Sequence, residues 1–168
     1  MANRRLTFAV VAAGVAAGLA AVVSATPGSG VSGIVAARAA FADRVDLRVS
    51  IKDDYRGRKT SQVRNAEDTV MQQIVFAPDS FSGWHSHPGP AIALIKTGRL
   101  TLYSEDDETC TGRTLGAGQA FIQPAGHVHF ARNPSASVST EVWVTYLDVA
   151  PGSASPRIDE PSPGNCPF

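Results

Sequence analysis

Gly118-Gln-Ala-Phe-Ile-Gln-Pro124-Ala-Gly126-His127-Val-His129-Phe-Ala-Arg-Asn133 is the stretch whose reading decides the fold. A short run, Ala120 to Gln123, ends in Pro and Gly, and two histidines follow two residues apart. In extended backbone that spacing aims both side chains to one face. The same spacing stands about forty residues earlier, in Gly83-Trp-His85-Ser-His87-Pro-Gly-Pro90. These two pairs hold all 4 histidines of the chain. The Pro and Gly around them place the pairs at strand ends rather than on helices. Imidazole is the commonest protein ligand for transition metals, and several in one pocket suit Fe, Mn, Ni, Cu or Zn. The competing reading is four surface or hydrogen-bonding histidines that happen to cluster.

At this point the residues resemble a known family. Gly118 to Asn133 fits the second cupin motif, G-x5-P-x-G-x2-H-x3-N, at every fixed position. The first cupin motif is met in part: His85, His87 and Gly98 match, but its first glycine falls at Asp79 and its glutamate at Ala91 or Ile92. The resemblance spans roughly Val70 to Leu147. It implies a small β-barrel with His85, His87 and His129 around one divalent transition metal (Fe, Mn, Ni or Zn) at the barrel mouth. Three-His cupins include thiol and diketone dioxygenases. The implied activity is therefore that of an oxidoreductase, dioxygenase-like, acting on a small anionic or chelating molecule. The alternative is a non-catalytic cupin that binds a small molecule or metal in the cell envelope. His127 stands as a candidate fourth ligand or catalytic acid/base, unless the turn at Gly126 rotates it outward. Gln123 is a candidate hydrogen-bond donor to the cavity, or an outward polar residue on a strand.

Working outward, Arg99-Leu-Thr-Leu-Tyr103 and Ala91-Ile-Ala-Leu-Ile-Lys96 flank Thr97-Gly98, which reads as a hairpin. Ser104 to Thr109 (SEDDET) reads as a solvated acidic loop. Thr69 to Ala77 and Glu141 to Val149 read as strands; Val142, Val144 and Tyr146 share one face of the second. Trp84, Phe121, Phe130, Trp143 and Tyr146 read as barrel core rather than a substrate cage. Val45 to Ile51 alternates strictly, whereas Lys52 to Asp68 has no apolar stripe and reads as a long exposed connection. Pro151 to Phe168 holds five prolines and reads as a tail ordered only where Cys166 anchors it. No stretch beyond the N-terminus has a helical period. Short strands between Gly/Pro turns imply an all-β sandwich or barrel. The resemblance narrows this to a single double-stranded β-helix (jelly-roll) barrel. The expected organisation is N-terminal strands and polar connection over 26–68, cupin barrel core over 69–149 and a Pro-rich tail over 150–168.

An N-terminal export segment precedes the barrel. Arg4-Arg5 are followed by an apolar run from Leu6 to Val23, and Val23-Ser24-Ala25 offers small residues before a cut ahead of Thr26. Residues 1–25 thus read as a signal peptide, with an uncleaved anchor as the competing reading and a loose likeness to twin-arginine signals. The expected location is secreted or cell envelope, without stable membrane insertion after cleavage. Cys110 and Cys166, the chain's 2 cysteines, read as one disulfide in that setting. Lys+Arg and Asp+Glu balance at 15 each, so no basic field points to nucleic acid. The expected partner is a small-molecule substrate or ligand, and the resemblance to cupins, many of which pair through edge strands, implies a homodimer. The 168 residues suffice for one core.

Overall fold

In the computed structural model, residues 25–54 and 57–168 are described. The expected export segment lies, apart from Ala25, outside the described residues. Among those residues all regular structure is strand: β1 (Ser29–Ala40), β2 (Leu47–Asp53), β3 (Gly57–Val63), β4 (Asp68–Phe81), β5 (His85–Ser86), β6 (Ala91–Thr97), β7 (Arg99–Ser104), β8 (Arg113–Gly116), β9 (Ala120–Gln123), β10 (His129–Arg132), β11 (Thr140–Val149) and β12 (Ile158–Asp159). No helix among them is long and apolar enough to cross a membrane.

The alternation read in Glu141–Val149 is what builds the barrel wall. On β11 Val142, Val144 and Tyr146 are buried while Trp143 and Thr145 between them are only half-buried. β11 lies between β4 and β6, β6 continues to β9, and β1 covers the other edge of β4. Cross-strand partners share a face. One inward row is therefore Val70, Tyr146, Ala91 and Gln123, and the next is Gln72, Val144, Ala93 and Phe121. The opposing wall is β8, β7, β10, β5 and β12, joined to the first where Arg132 pairs Phe81 at the end of β4. The result is a nearly closed all-β barrel. Between the walls Val70, Phe76, Ile95, Leu100, Leu115, Val142 and Val149 are almost wholly buried. Each large aliphatic side chain so placed contributes roughly 1.5–3 kcal/mol.

Three expectations are corrected. First, β6 and β7 do not form a hairpin: β6 pairs β9 and β11, β7 pairs β8 and β10. Gly98 is a corner between walls rather than a hairpin turn. Its φ is +76°, and an added Cβ would sit 2.4 Å from Thr140 Oγ1. The buried Thr140 hydroxyl fixes that corner, accepting from Arg99 N at 3.0 Å and donating to Arg99 O at 2.6 Å. Second, Lys52–Asp68 is not one exposed connection, because β3 pairs residue by residue with β2. Only Ser61 and Val63 of β3 are buried, so pairing needs no apolar stripe there. Third, the tail is ordered well before Cys166. β12 adds to β5, Glu160 N donates to Trp84 O at 3.1 Å, and Asn165 Nδ2 donates to Ser104 O and Asp107 O, both at 2.8 Å. Phe168 stacks on Trp84 and meets Tyr103 and Phe130. The Cys110–Cys166 disulfide expected from the sequence is present and closes this second cluster.

Candidate metal centre

His85 on β5 is the direct cross-strand partner of His129 on β10. That pairing turns both imidazoles to one face, and His87, two residues beyond His85, joins them. Ring centroids lie 4.1 Å apart for His85–His129 and 5.0 Å for each of the other two pairs. One ligand nitrogen from each of the three lies within 4.8 Å of the others.

The outer ring nitrogens fix the protonation. His85 Nδ1 meets Gly83 O at 3.0 Å, His87 Nδ1 meets Pro156 O at 2.9 Å, and His129 Nδ1 meets His127 O at 2.9 Å. A carbonyl oxygen only accepts, so each Nδ1 carries the proton and each Nε2 keeps its lone pair for the shared centre. Backbone carbonyls holding the second nitrogen are the usual support of a metal-ligating histidine. Charge points the same way. Burial, followed by repulsion from His87, holds His85 well below its ordinary pKa; burial and then His85 do the same to His129. Burial lowers His87 to about 4. Three buried neutral imidazoles sharing one point fit a divalent cation, and a site with so few protein ligands leaves coordination positions open.

This yields a pH prediction. In the unfolded chain His85, His87 and His129 each take a proton near pH 6.5, whereas the folded state refuses it. Stability of the chelator-treated protein is therefore full above pH 6.5 and declines as pH falls toward 4. His87 alone accounts for on the order of 3 kcal/mol of this decline. Thermal melts from pH 8 to 4.5 check it: the slope should flatten in His87→Gln, and an equally steep slope in that variant contradicts the assignment.

The remaining sequence-marked residues are placed as follows. Gln123 is buried and lines the cavity beside the histidines. His127 is not brought into the group, which corrects its candidacy as a fourth ligand. Its Nε2 instead lies 2.7 Å from Asp106 Oδ2 and 3.1 Å from Ser104 Oγ, and its Nδ1 is buried without a partner. The turn at Gly126, with φ +68°, swings it away. The acidic loop is thus more than solvated. Partial burial of Asp106 opposes its ionisation, yet hydrogen bonds from Lys59 and His127 hold its carboxyl below the usual range. Where the first motif would supply a glutamate, Ala91 lines the cavity and Ile92 faces outward at 41% exposure. Among the described residues no carboxylate joins the three histidines. Of the aromatics, Trp84 and Phe130 are core, Trp143 lies half-buried on the outer face, and Phe121 and Tyr146 line the cavity. Tyr146 packs edge-on to His87 at 4.9 Å, and burial pushes its phenol up, keeping it neutral. Asn133, wholly buried, donates to Phe76 O, Ala77 O and Val138 O as a strand-end hydrogen-bonder. Sequence reasoning missed Pro156, whose carbonyl orients His87, and Arg157, which lines the mouth.

The cavity holds about 370 Å³, inside the range of small-molecule sites. Its walls include Ala93, Leu102, Val144 and Phe121, and its polar end is the histidine group.

Comparison with known proteins agrees with the fold. Residues 72–156, about half of the 168, match the family model described as a cupin domain. A germin-like protein of Arabidopsis thaliana (subfamily T member 2) is 30% identical over 86 residues, covering 50% of this chain and 39% of its own. The chain thus spans about two fifths of that relative's length. Among solved structures, the polyketide cyclase RemF of Streptomyces resistomycificus superposes with a TM-score of 0.51 at 14% identity, over 82% of this chain and 76% of its own. An oxalate oxidase solved with the substrate analogue glycolate gives a TM-score of 0.43 at 25% identity, over 54% of this chain and 45% of its own.

Proposed function

We propose that this chain, which belongs to the cupin-domain family, is an exported enzyme that holds one divalent transition metal on His85, His87 and His129 and oxidises a small anionic or chelating molecule with oxygen. The observation that carries the reading is the convergence of three Nε2 lone pairs, each fixed by a carbonyl behind it, at one end of a cavity with a largely apolar wall. When bound, the metal supplies a Lewis acid with open positions. The residues of the chain do the rest: the barrel walls surround the ligand, and Gln123 and the neutral Tyr146 phenol line the space beside the histidines. With three neutral ligands the dication keeps its charge, which favours a carboxylate, enolate or thiolate on electrostatic grounds. Fe, Mn, Ni and Zn all suit imidazole donors. The disulfide supports export, since such bonds persist in oxidising compartments.

One observation favours a second reading, a non-catalytic cupin that binds its ligand in the cell envelope. Among the described residues, the titratable groups lining the cavity beyond the three histidines are Tyr146, Arg157 and Asp159, and the last two are paired with each other. A reaction needing a free general base would lack one. Oxygen-electrode assays on Fe(II)- and Mn(II)-loaded protein, with hydroxy-, keto- and thiol-carboxylates and 1,3-diketones, separate the two. Oxygen uptake that disappears in His129→Ala supports the enzyme; a raised melting temperature without uptake supports the binding module.

A further inference from the structure

The C-terminal segment does more at the cavity than cover it. Asp159 pairs His85 and Ile158 pairs Ser86 in the short β12–β5 ladder, so continuing the register sets Arg157 opposite His87. Paired residues share a face and alternate residues repeat it, so Arg157 and Asp159 belong on the histidine face and Ile158 on the other. The placement agrees: Arg157 and Asp159 line the cavity, while Ile158 is 46% exposed. Pro156 locks the position by taking the Nδ1 proton of His87 as a hydrogen bond. Arg157 is ion-paired to Asp159 through Nε only. Among the described residues its two terminal nitrogens have no hydrogen-bond partner, and its side chain is 26% exposed. A guanidinium fork of that kind takes a carboxylate through two parallel hydrogen bonds.

The cavity also has a second chemistry. Beyond the guanidinium and the histidines, Ala93, Leu102, Val144 and Phe121 form a mostly apolar wall, with Gln72 in the same inward row as Ala93, Val144 and Phe121. We propose that Arg157 is the specificity-determining residue of this cavity, selecting ligands that carry a carboxylate on an apolar body. The carboxylate lies on the guanidinium at the mouth and the apolar body lies against the barrel wall. The inference rests on reading the cavity as a ligand site, and it narrows that ligand to an amphipathic carboxylate. Asp159 offsets part of the Arg157 charge and sets the angle of the fork.

Hexanoate and its uncharged counterpart hexanamide test this by calorimetry on the chelator-treated protein, where no metal can take the carboxylate. Wild type should bind hexanoate at least about tenfold more tightly than hexanamide, and Arg157→Ala should erase that preference. Arg157→Lys should keep part of it, and Asp159→Asn should keep or raise it. Neither probe binding to wild type, a preference that survives Arg157→Ala, or a preference lost equally in Asp159→Asn would each overturn the assignment. Metal per chain, measured on each protein before chelator treatment, should be unchanged in Arg157→Ala. A protein that holds no metal before chelator treatment or after reconstitution, yet prefers hexanoate through Arg157, would sink the metalloenzyme and leave this assignment standing.

Discussion

Cys110→Ser/Cys166→Ser is expected to lower the unfolding free energy by about 4 kcal/mol, the loop-closure value for cysteines 56 residues apart. The bond ties the tail to the acidic loop, and the tail carries more than its own order. Phe168 stacks on Trp84, which is wholly buried, and Pro156 orients His87. Loosening the tail should therefore also expose Trp84 and weaken the metal centre. Urea unfolding followed by tryptophan fluorescence measures the first two effects in one titration. A loss below about 1 kcal/mol with unchanged emission would mean that β12 and the aromatic stack hold the tail without the covalent bond.

Gly89→Ala is expected to cost more than about 3 kcal/mol, because the clash it makes is with backbone. An added Cβ would lie 1.6 Å from Leu147 O and 2.7 Å from Asp148 Cβ. Neither can rotate aside. Leu147 N donates to Pro90 O at 2.9 Å, and the β11 register shifts between Tyr146 and Val149 to make that approach. Only a residue without a side chain lets the His87-Pro88-Gly89-Pro90 turn sit against β11, so the substitution should displace His87 as well. Gly116→Ala is the control: the nearest atom to its added Cβ is 3.9 Å away, and its cost should be within the roughly 0.5 kcal/mol of an ordinary surface change. Comparable urea midpoints for the two variants would contradict the account of the turn.

The core of the site was legible in the sequence because its signal is local. His85 and His87 share a face by spacing alone, and the Pro-Ala-Gly turn before His129 carries the family pattern. Strand register then brings the two motifs together. What was not legible depends on contacts across many residues. Arg157 lies in a Pro-rich stretch without periodicity, and only its ladder with β5, more than sixty residues earlier, brings it to the histidines. β3 pairs through its backbone while its side chains remain mostly polar and exposed, so hydrophobic periodicity had nothing to report. Thr97-Gly98 carries a turn signal that is local and real, yet whether a turn folds back or crosses to the opposite wall is settled by Thr140, forty-two residues on. His127 follows the same logic: the period of two aims it at the cavity, and the positive φ of Gly126 breaks that period one residue before it.

The central claim is that three fixed imidazoles hold one metal ion. Elemental analysis of the protein purified without chelators, beside His85→Ala/His129→Ala, addresses it most directly. The account predicts about one transition-metal ion per chain in the first and none in the second. No metal in either, even after reconstitution with Fe(II), Mn(II), Ni(II) and Zn(II), would contradict it.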